Sequence, residues 1–367
     1  MHILVTADTV GGVWTYVREL VTGMVSRGVR VTLVSFGGPP SAGQARWMEQ
    51  LSGLDYHPTT FKLEWMKDSA ADMEASSEFL REIIRETKPD LIHSNQFYYG
   101  ALECDVPRVV VAHSDVVSWW VAVQGEEPPQ SSWVSWYRDA VVRGLATATA
   151  VIAPSQWMLD QVERYYLKAN RRAVIYNGRT PALFDPGMTK DEMIVTAGRL
   201  WDQGKNTRLL LAAEMPGQIQ IVGAHQHPGS RGDSFTGQAA TNVHFLPQQD
   251  EQQMAGILAR AAIYTAPSRY EPFGLAPLEA ALSGCALVAS DIPSLRELWE
   301  GAAVFFRSND AGDLRQALEL LIGDPCLCRR YAGRAYDHAV RKFNAARMTD
   351  EYMELYRTLA PAAVAAA

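Results

Sequence analysis

The sequence predicts an α/β protein built as two doubly wound parallel-sheet domains. Three observations carry this expectation. Short β-branched runs alternate with longer stretches of helical spacing, each run is bounded by polar or turn residues, and the pattern restarts at mid-chain. The 367 residues also exceed the roughly 100–200 typical of one domain.

The first element is the apolar run Ile3 to Ala7. It is followed by the pair Gly11 and Gly12 and by a helical stretch from Trp14 to Arg27 with Val17, Leu20, Val21, Met24 and Val25 on one face. Strand, glycine turn and helix in that order predict the opening unit of a parallel sheet. Val29 to Phe36 reads as the next strand; Leu91 to His93, Arg108 to His113 and Ala150 to Ala153 read as further strands, with a helix over Asp72 to Thr87. The second series opens with Met193 to Ala197 and continues through Gln218 to Gly223, Val243 to Leu246, Ile263 to Ala266 and Ala286 to Ala289. Its helices are expected over Glu251 to Ala262 and Gly274 to Ser283. Asn177 to Lys190, with Gly178, Pro181, Pro186 and Gly187, is the most linker-like stretch, which sets the expected domains at 1–183 and 184–345. The last fifth, Asp313 to Tyr356, is mostly helical, and the alanine-rich end is expected to fray.

Composition narrows the function. Hydrophobic residues at 47% and charged residues at 20% suffice for two ordinary cores. Lys and Arg number 34 against 41 Asp and Glu, a net charge of −7 with neither half basic, which argues against nucleic acid and against more than weak peripheral contact with an anionic membrane. Cys104, Cys285, Cys326 and Cys328 have neither metal-ligand spacing nor disulfide-scaffold density, which fits a reducing cytoplasm. No run reaches the roughly 18 apolar residues of a membrane span, and the N-terminus lacks the pattern of a signal peptide.

In parallel sheets ligands bind beyond the carboxyl ends of strands, and four places here have that form. After the first strand, Gly11 and Gly12 either bring backbone close to a phosphate or make only a tight turn. After Met193 to Ala197 come Arg199 and, six residues on, Lys205 at the expected entrance to a helix; two cations and a helix terminus there suit a diphosphate leaving group. After Ile263 to Ala266 comes Glu271-Pro-Phe-Gly-Leu275, with Glu279 inside the following helix. Carboxylates accept bidentately from sugar hydroxyls, and the N–H groups of Phe273, Gly274 and Leu275 can face the same ligand. Finally, Arg108 to Ala112 delivers His113 to a strand end, either toward a ligand or as a satisfied structural residue.

These residues resemble the GT-B fold retaining glycosyltransferases of family 4, the glycosyl transferases group 1. Glu271 and Glu279 match the family's E-x7-E with its P-F-G-L insert. Glu279 to Asp291 follows E-A-x-A-x-G-x-P-V-V-A-S-D with Leu282 in place of its second Ala and Ala286 and Leu287 in place of its Pro-Val. Ala197 to Arg199 with Lys205, Ala153-Pro-Ser155, Asn177-Gly178, Gly11-Gly12 and His113 extend the likeness along nearly the whole chain. The resemblance implies two Rossmann-like domains facing a cleft, with a helix from about 346 packing back on the first. It implies that Arg199 and Lys205 neutralise the donor diphosphate, Glu279 holds the ribose, and Glu271 with the backbone of Phe273, Gly274 and Leu275 holds the transferred sugar. His113 would lie close to that sugar and Gly11 and Gly12 near the diphosphate, with the base around Phe245 and Leu246. No metal and no cofactor are implied, the nucleotide sugar being a substrate, and transfer retains configuration by front-face attack. His113, Glu271, Arg199 and Lys205 would carry the chemistry. One departure stands out: Asn177-Gly-Arg179-Thr180 replaces the common Asn-Gly-Val-Asp, so whatever contact that aspartate makes is missing or replaced.

Eight of the ten tryptophans lie in the first 180 residues, and Trp119, Trp120, Trp133 and Trp136 crowd one Pro- and Ser-containing stretch, read as a long loop. They either stack on a carbohydrate or glycoside acceptor or pack the loop onto its domain. Two other functions fit less well. A nucleotide-sugar epimerase on the same fold needs acid/base groups around the sugar and does not use E-x7-E in this way. A non-catalytic nucleotide-sugar-binding protein has no need of both His113 and Glu271.

Overall fold

The computed structural model describes residues 1–224 and 241–361. Its contacts form two compact units, Met1–Gly178 with Ala345–Ala367, and Arg179–Asn344. The first contains β1 (His2–Asp8), β2 (Arg30–Phe36), β3 (Leu54–Pro58), β4 (Leu91–Ser94), β5 (Arg108–Val111), β6 (Ala150–Ala153) and β7 (Arg172–Val174), in the order β3-β2-β1-β4-β5-β6-β7. Its helices are α1 (Gly12–Val25), α2 (Ala42–Ala45), α3 (Ala70–Thr87), α4 (Val116–Gln124), α5 (Ser132–Thr147) and α6 (Gln156–Tyr165).

Parallel pairing forces every connection to cross over, so both sheet faces are covered. All seven residues of β1 are buried. Ile3, Val5 and Ala7 pack with Val17, Leu20, Val21 and Met24 of α1, whereas Leu4 packs with Leu80 and Ile83 of α3. Period-two alternation in the strand thus serves two cores at once.

The second unit contains β8 (Asp191–Ala197), β9 (Gln218–Val222), β10 (Val243–Leu246), β11 (Ala261–Ala266), β12 (Ala286–Ser290) and β13 (Ala303–Phe306), ordered β10-β9-β8-β11-β12-β13. Helices α7 (Glu251–Arg260), α8 (Leu275–Leu282), α9 (Pro293–Trp299), α10 (Ala311–Gly323) and α11 (Pro325–Lys342) accompany it. The chain then returns to the first unit as α12 (Ala345–Leu359), whose Met348, Tyr352, Met353, Tyr356 and Leu359 share a core with α1. In each sheet the strand order reverses once, between β1 and β4 and between β8 and β11. No helix of the described residues is long and apolar enough to cross a membrane.

Several expectations change. The chain passes into the second unit after Gly178 rather than 183, because Asn177 and Arg179 are 5% and 1% exposed and the Arg179 amide already bonds to Phe343 O at 3.0 Å. The stretch read as a linker therefore begins as buried structure. The helix expected at Lys205 is instead two 3₁₀ turns, Gln203–Lys205 and Thr207–Leu211, broken by Asn206 at φ 50°. The tryptophan-rich stretch is two helices: Asp115 accepts from Ser118 N to start α4, and Ser131 accepts from Val134 N to start α5. The unanticipated strands β3, β7 and β13 are all sheet edges, and β3 and β7 lack a buried run. The alanine-rich end from 362 lies outside the described residues.

Two glycines close the strand ends of β8 and β9. Gly223 has φ 152°, and a Cβ there would collide with the Gly198 carbonyl; one at Gly198 would meet only the Lys205 stem at 3.5 Å. Gly223→Ala is expected to lower stability by about 2 kcal/mol or more, and Gly198→Ala by less than about 1 kcal/mol, read from urea midpoints. Equal losses would refute the close backbone approach.

Candidate functional site

In the second unit Arg199, Lys205 and Glu271 lie at the strand-order reversal, where crossover helices diverge and leave strand-end loops uncovered, whereas Phe245 and Leu246 lie on edge strand β10. β8 ends at Ala197 and turns through Gly198 into Arg199. The Arg199 guanidinium pairs with Asp202 Oδ2 at 2.7 Å and lies 5.2 Å from the Trp201 ring. Asp202 Oδ1 accepts from Gly204 N at 2.9 Å, a side-chain turn that aims the following Lys205. Lys205 Nζ reaches Glu271 Oε2 at 2.5 Å, and Ser268 Oγ donates to the same oxygen at 3.1 Å. The two loops are stitched together, Arg269 N donating to Gly204 O at 2.8 Å and Asn206 Nδ2 to Pro267 O at 3.1 Å. Lys205 after β8 and Glu271 after β11 therefore meet across the reversal.

Glu279 projects from α8 with its side chain 18% exposed and pairs with Arg179 Nε at 2.9 Å. The buried Arg179 also holds Glu251 Oε1 at 2.5 Å. Between these groups, the buried Tyr264 hydroxyl donates to Ala197 O at 3.2 Å. Its acidity is suppressed by burial first and then by the carboxylates of Glu271 and Glu279. Phe273 is buried 5.2 Å from the Phe343 ring. Gly274 turns into α8 at φ 86°, and a Cβ there would press on Glu271 Cγ at 3.0 Å; glycine leaves that acid its room. Leu275 is the first residue of α8. Phe245 and Leu246 close edge strand β10, with Phe245 packed on the sheet core and Leu246 O accepting from Gly223 N at 3.1 Å.

In the first unit, Gly11 at φ 106° makes the turn into α1, of which Gly12 is the first residue. Asn95, just past β4, donates through Nδ2 to Thr6 O at 2.6 Å, which directs its Oδ1 at His113 Nε2, 2.7 Å away. An amide oxygen only accepts, so His113 carries its proton on Nε2. The His113 ring lies edge-on to Tyr16, with centroids 4.6 Å apart. Beneath it, His93 is buried between Tyr16 OH at 3.2 Å and Tyr356 OH at 2.6 Å. Trp119 and Trp120 meet edge to face at 6.1 Å on α4; Trp133 donates to Met66 O at 3.0 Å and stacks on Tyr137. Trp133 thus packs within its own unit. Among the described residues, no three His, Cys, Asp or Glu side chains are grouped to hold a metal ion.

Sequence reading assigned no role to Asp202, Asn95, Glu251 and Arg179. Asp202, two residues before Gly204, carries a turn signal, and Asn95 directly follows a strand. Arg179 and Glu251 carry no local signal, because their partners are distant in sequence.

Burial holds both imidazoles down to about 3, with His93 further opposing protonation of His113. Unfolded histidine protonates near 6.5. Both rings therefore favour the folded state above about 6.5 and lose that contribution as pH falls from about 6.5 toward 3. His113 ring resonances are expected to show no inflection between about pH 5 and 8, followed by NMR; a midpoint near 6.5 would contradict the neutral, half-buried ring.

The profile of Glycosyltransferase Family 4 matches residues 10–182, and that of Glycosyl transferases group 1 matches residues 191–324. The chain is 30% identical over 309 residues to alpha-maltose-1-phosphate synthase of Mycolicibacterium smegmatis, covering 73% of this chain and 78% of that one. It is 27% identical over 318 residues to D-inositol 3-phosphate glycosyltransferase of Nocardia farcinica, covering 77% and 69%. Among solved structures, sucrose-phosphate synthase of Thermosynechococcus elongatus superimposes with a TM-score of 0.81 at 21% identity over 99% of this chain and 100% of that one. Anabaena HepE in complex with UDP-glucose gives 0.74 at 18% identity over 98% and 100%. The shared fold is GT-B.

Proposed function

The chain belongs to glycosyltransferase family 4, enzymes of nucleotide-sugar transfer, and from that premise we propose that it moves a hexose from a UDP- or GDP-linked donor to a hydroxyl of a carbohydrate or glycoside acceptor, with retention and without a metal. The observation that carries this reading is the set of two cations, Arg199 and Lys205, gathered with Glu271 at the strand-order reversal of the second sheet. A diphosphate needs cations on its leaving side, and these two supply the charge that a divalent ion supplies elsewhere.

In this reading the diphosphate lies against Arg199 and Lys205, Glu279 takes the ribose hydroxyls, and Glu271 with the amides of Phe273, Gly274 and Leu275 takes the hexose. The bond from the sugar's anomeric carbon to the leaving phosphate oxygen breaks, and the bond to the acceptor oxygen forms on the same face. The acceptor's proton passes to the leaving phosphate. Arg199 and Lys205 stabilise the charge that develops there, so the protein's contribution is electrostatic and positional. His113, neutral with its proton held by Asn95, offers a hydrogen-bonding group rather than a base. The UDP-glucose named for Anabaena HepE makes UDP the first nucleotide to test, and the name alpha-maltose-1-phosphate synthase accords with a carbohydrate acceptor.

The test is release of nucleoside diphosphate from a panel of UDP- and GDP-hexoses, with sugar and glycoside acceptors and a chelator present. Turnover is expected to survive the chelator. Arg199→Ala and Lys205→Met are each expected to lower kcat/KM by about ten- to a hundredfold, the loss of one charge-assisted contact to phosphate. Activity abolished by chelation and restored by magnesium would overturn the metal-independent reading. Unchanged kinetics in both variants would overturn the diphosphate assignment.

A further inference from the structure

We propose that Arg179 is a positioning residue for the nucleoside half of the donor, fixing Glu279 and the start of α7 as one recognition edge. The proposal rests on the reading above that Glu279 holds the ribose. The Arg179 guanidinium is among the most enclosed side chains of the second unit, at 1% exposure. A buried guanidinium needs carboxylate partners, and it has two: Glu251 Oε1 at 2.5 Å from Nη2 and Glu279 Oε1 at 2.9 Å from Nε.

The fork is rigid because its base is rigid. The Arg179 amide bonds to Phe343 O at 3.0 Å, its backbone forms a bridge with Asn344, and its guanidinium lies 5.2 Å from the Phe184 ring. The guanidinium donates through Nη2 to Glu251 and meets Glu279 Oε1 through Nε as an ion contact, so one fixed charge holds both carboxylates at set positions on its rim, as a mobile lysine ammonium does not. Glu251 is the first residue of α7, close in sequence to Phe245 and Leu246, where the base is expected, and Glu279 is on α8. Without Arg179 both acids lose the guanidinium they share. Arg179 therefore links the base-side segment to the ribose-side acid, and the preference for ribose over 2′-deoxyribose depends on it.

The experiment is calorimetric titration of the whole chain with UDP and 2′-deoxy-UDP, and with GDP and 2′-deoxy-GDP. It uses the wild type, Arg179→Met, Arg179→Lys, Glu279→Gln, the Arg179→Met/Glu279→Gln pair and Arg199→Ala. Wild type is expected to favour the ribose form by about tenfold or more. Arg179→Met is expected to bring that ratio close to one and to add no further loss in the Glu279→Gln background. Arg199→Ala should weaken both forms alike, leaving the ratio intact. Arg179→Lys keeps the buried charge without the fork and is expected to lose much of the preference, so it gives the same readout if the methionine variant does not fold. An intact ribose preference in a folded Arg179 variant, or losses that multiply in the double variant, would overturn the proposal alone. Wild type that binds nucleotide with no ribose preference, or binds none, would overturn the reading of Glu279 on which it stands.

Discussion

Among the described residues every strand pairing in the two sheets is parallel, and the placement of the charged strand-end loops follows from that constraint. Parallel strands within a sheet deliver all their carboxyl ends to one edge and must be joined by crossovers that cover both faces. Where the strand order reverses, successive crossovers leave in opposite directions and the loops between them stay open. Asp8, Gly11 and Asn95 sit at that place in the first sheet; Arg199, Lys205, Ser268 and Glu271 sit at it in the second.

The two units use different physics at these edges. In the second, each cation is matched to an acid: Arg199 to Asp202, Lys205 to Glu271, and Arg179 to Glu251 and Glu279. The acids hold the three cations in place, and for the enclosed Arg179 a charge left unmatched would be costly. The first unit instead holds its candidate histidine in an uncharged network of Thr6, Asn95, His93, Tyr16 and Tyr356. Burial keeps both imidazoles neutral.

Tyr356 ties this network to the chain's return. Its hydroxyl meets His93 Nδ1, and α12 packs with α1 through Met348, Tyr352 and Tyr356. The helix that closes the first unit thus also supports the residues under His113. A helix contributed by the far end of the sequence completes the core at the opening strand.

The strands that lie inside the sheets were legible in the sequence because burial on both faces demands uninterrupted apolar runs, as in Ile3 to Ala7 and Ala150 to Ala153. Edge strands β3 and β7 were not, since one exposed side removes that demand. The E-P-F-G turn, Glu279, Arg199 and Lys205 were legible because they follow strands at short, fixed spacings. Local sequence therefore determined the two parallel-sheet units and the loops that bear charge. Tertiary structure alone decided which charges meet: Lys205 with Glu271 across 66 residues, and Arg179 with Glu251 across 72. Pairing of buried charge is a property of three-dimensional neighbours, and no local pattern records it.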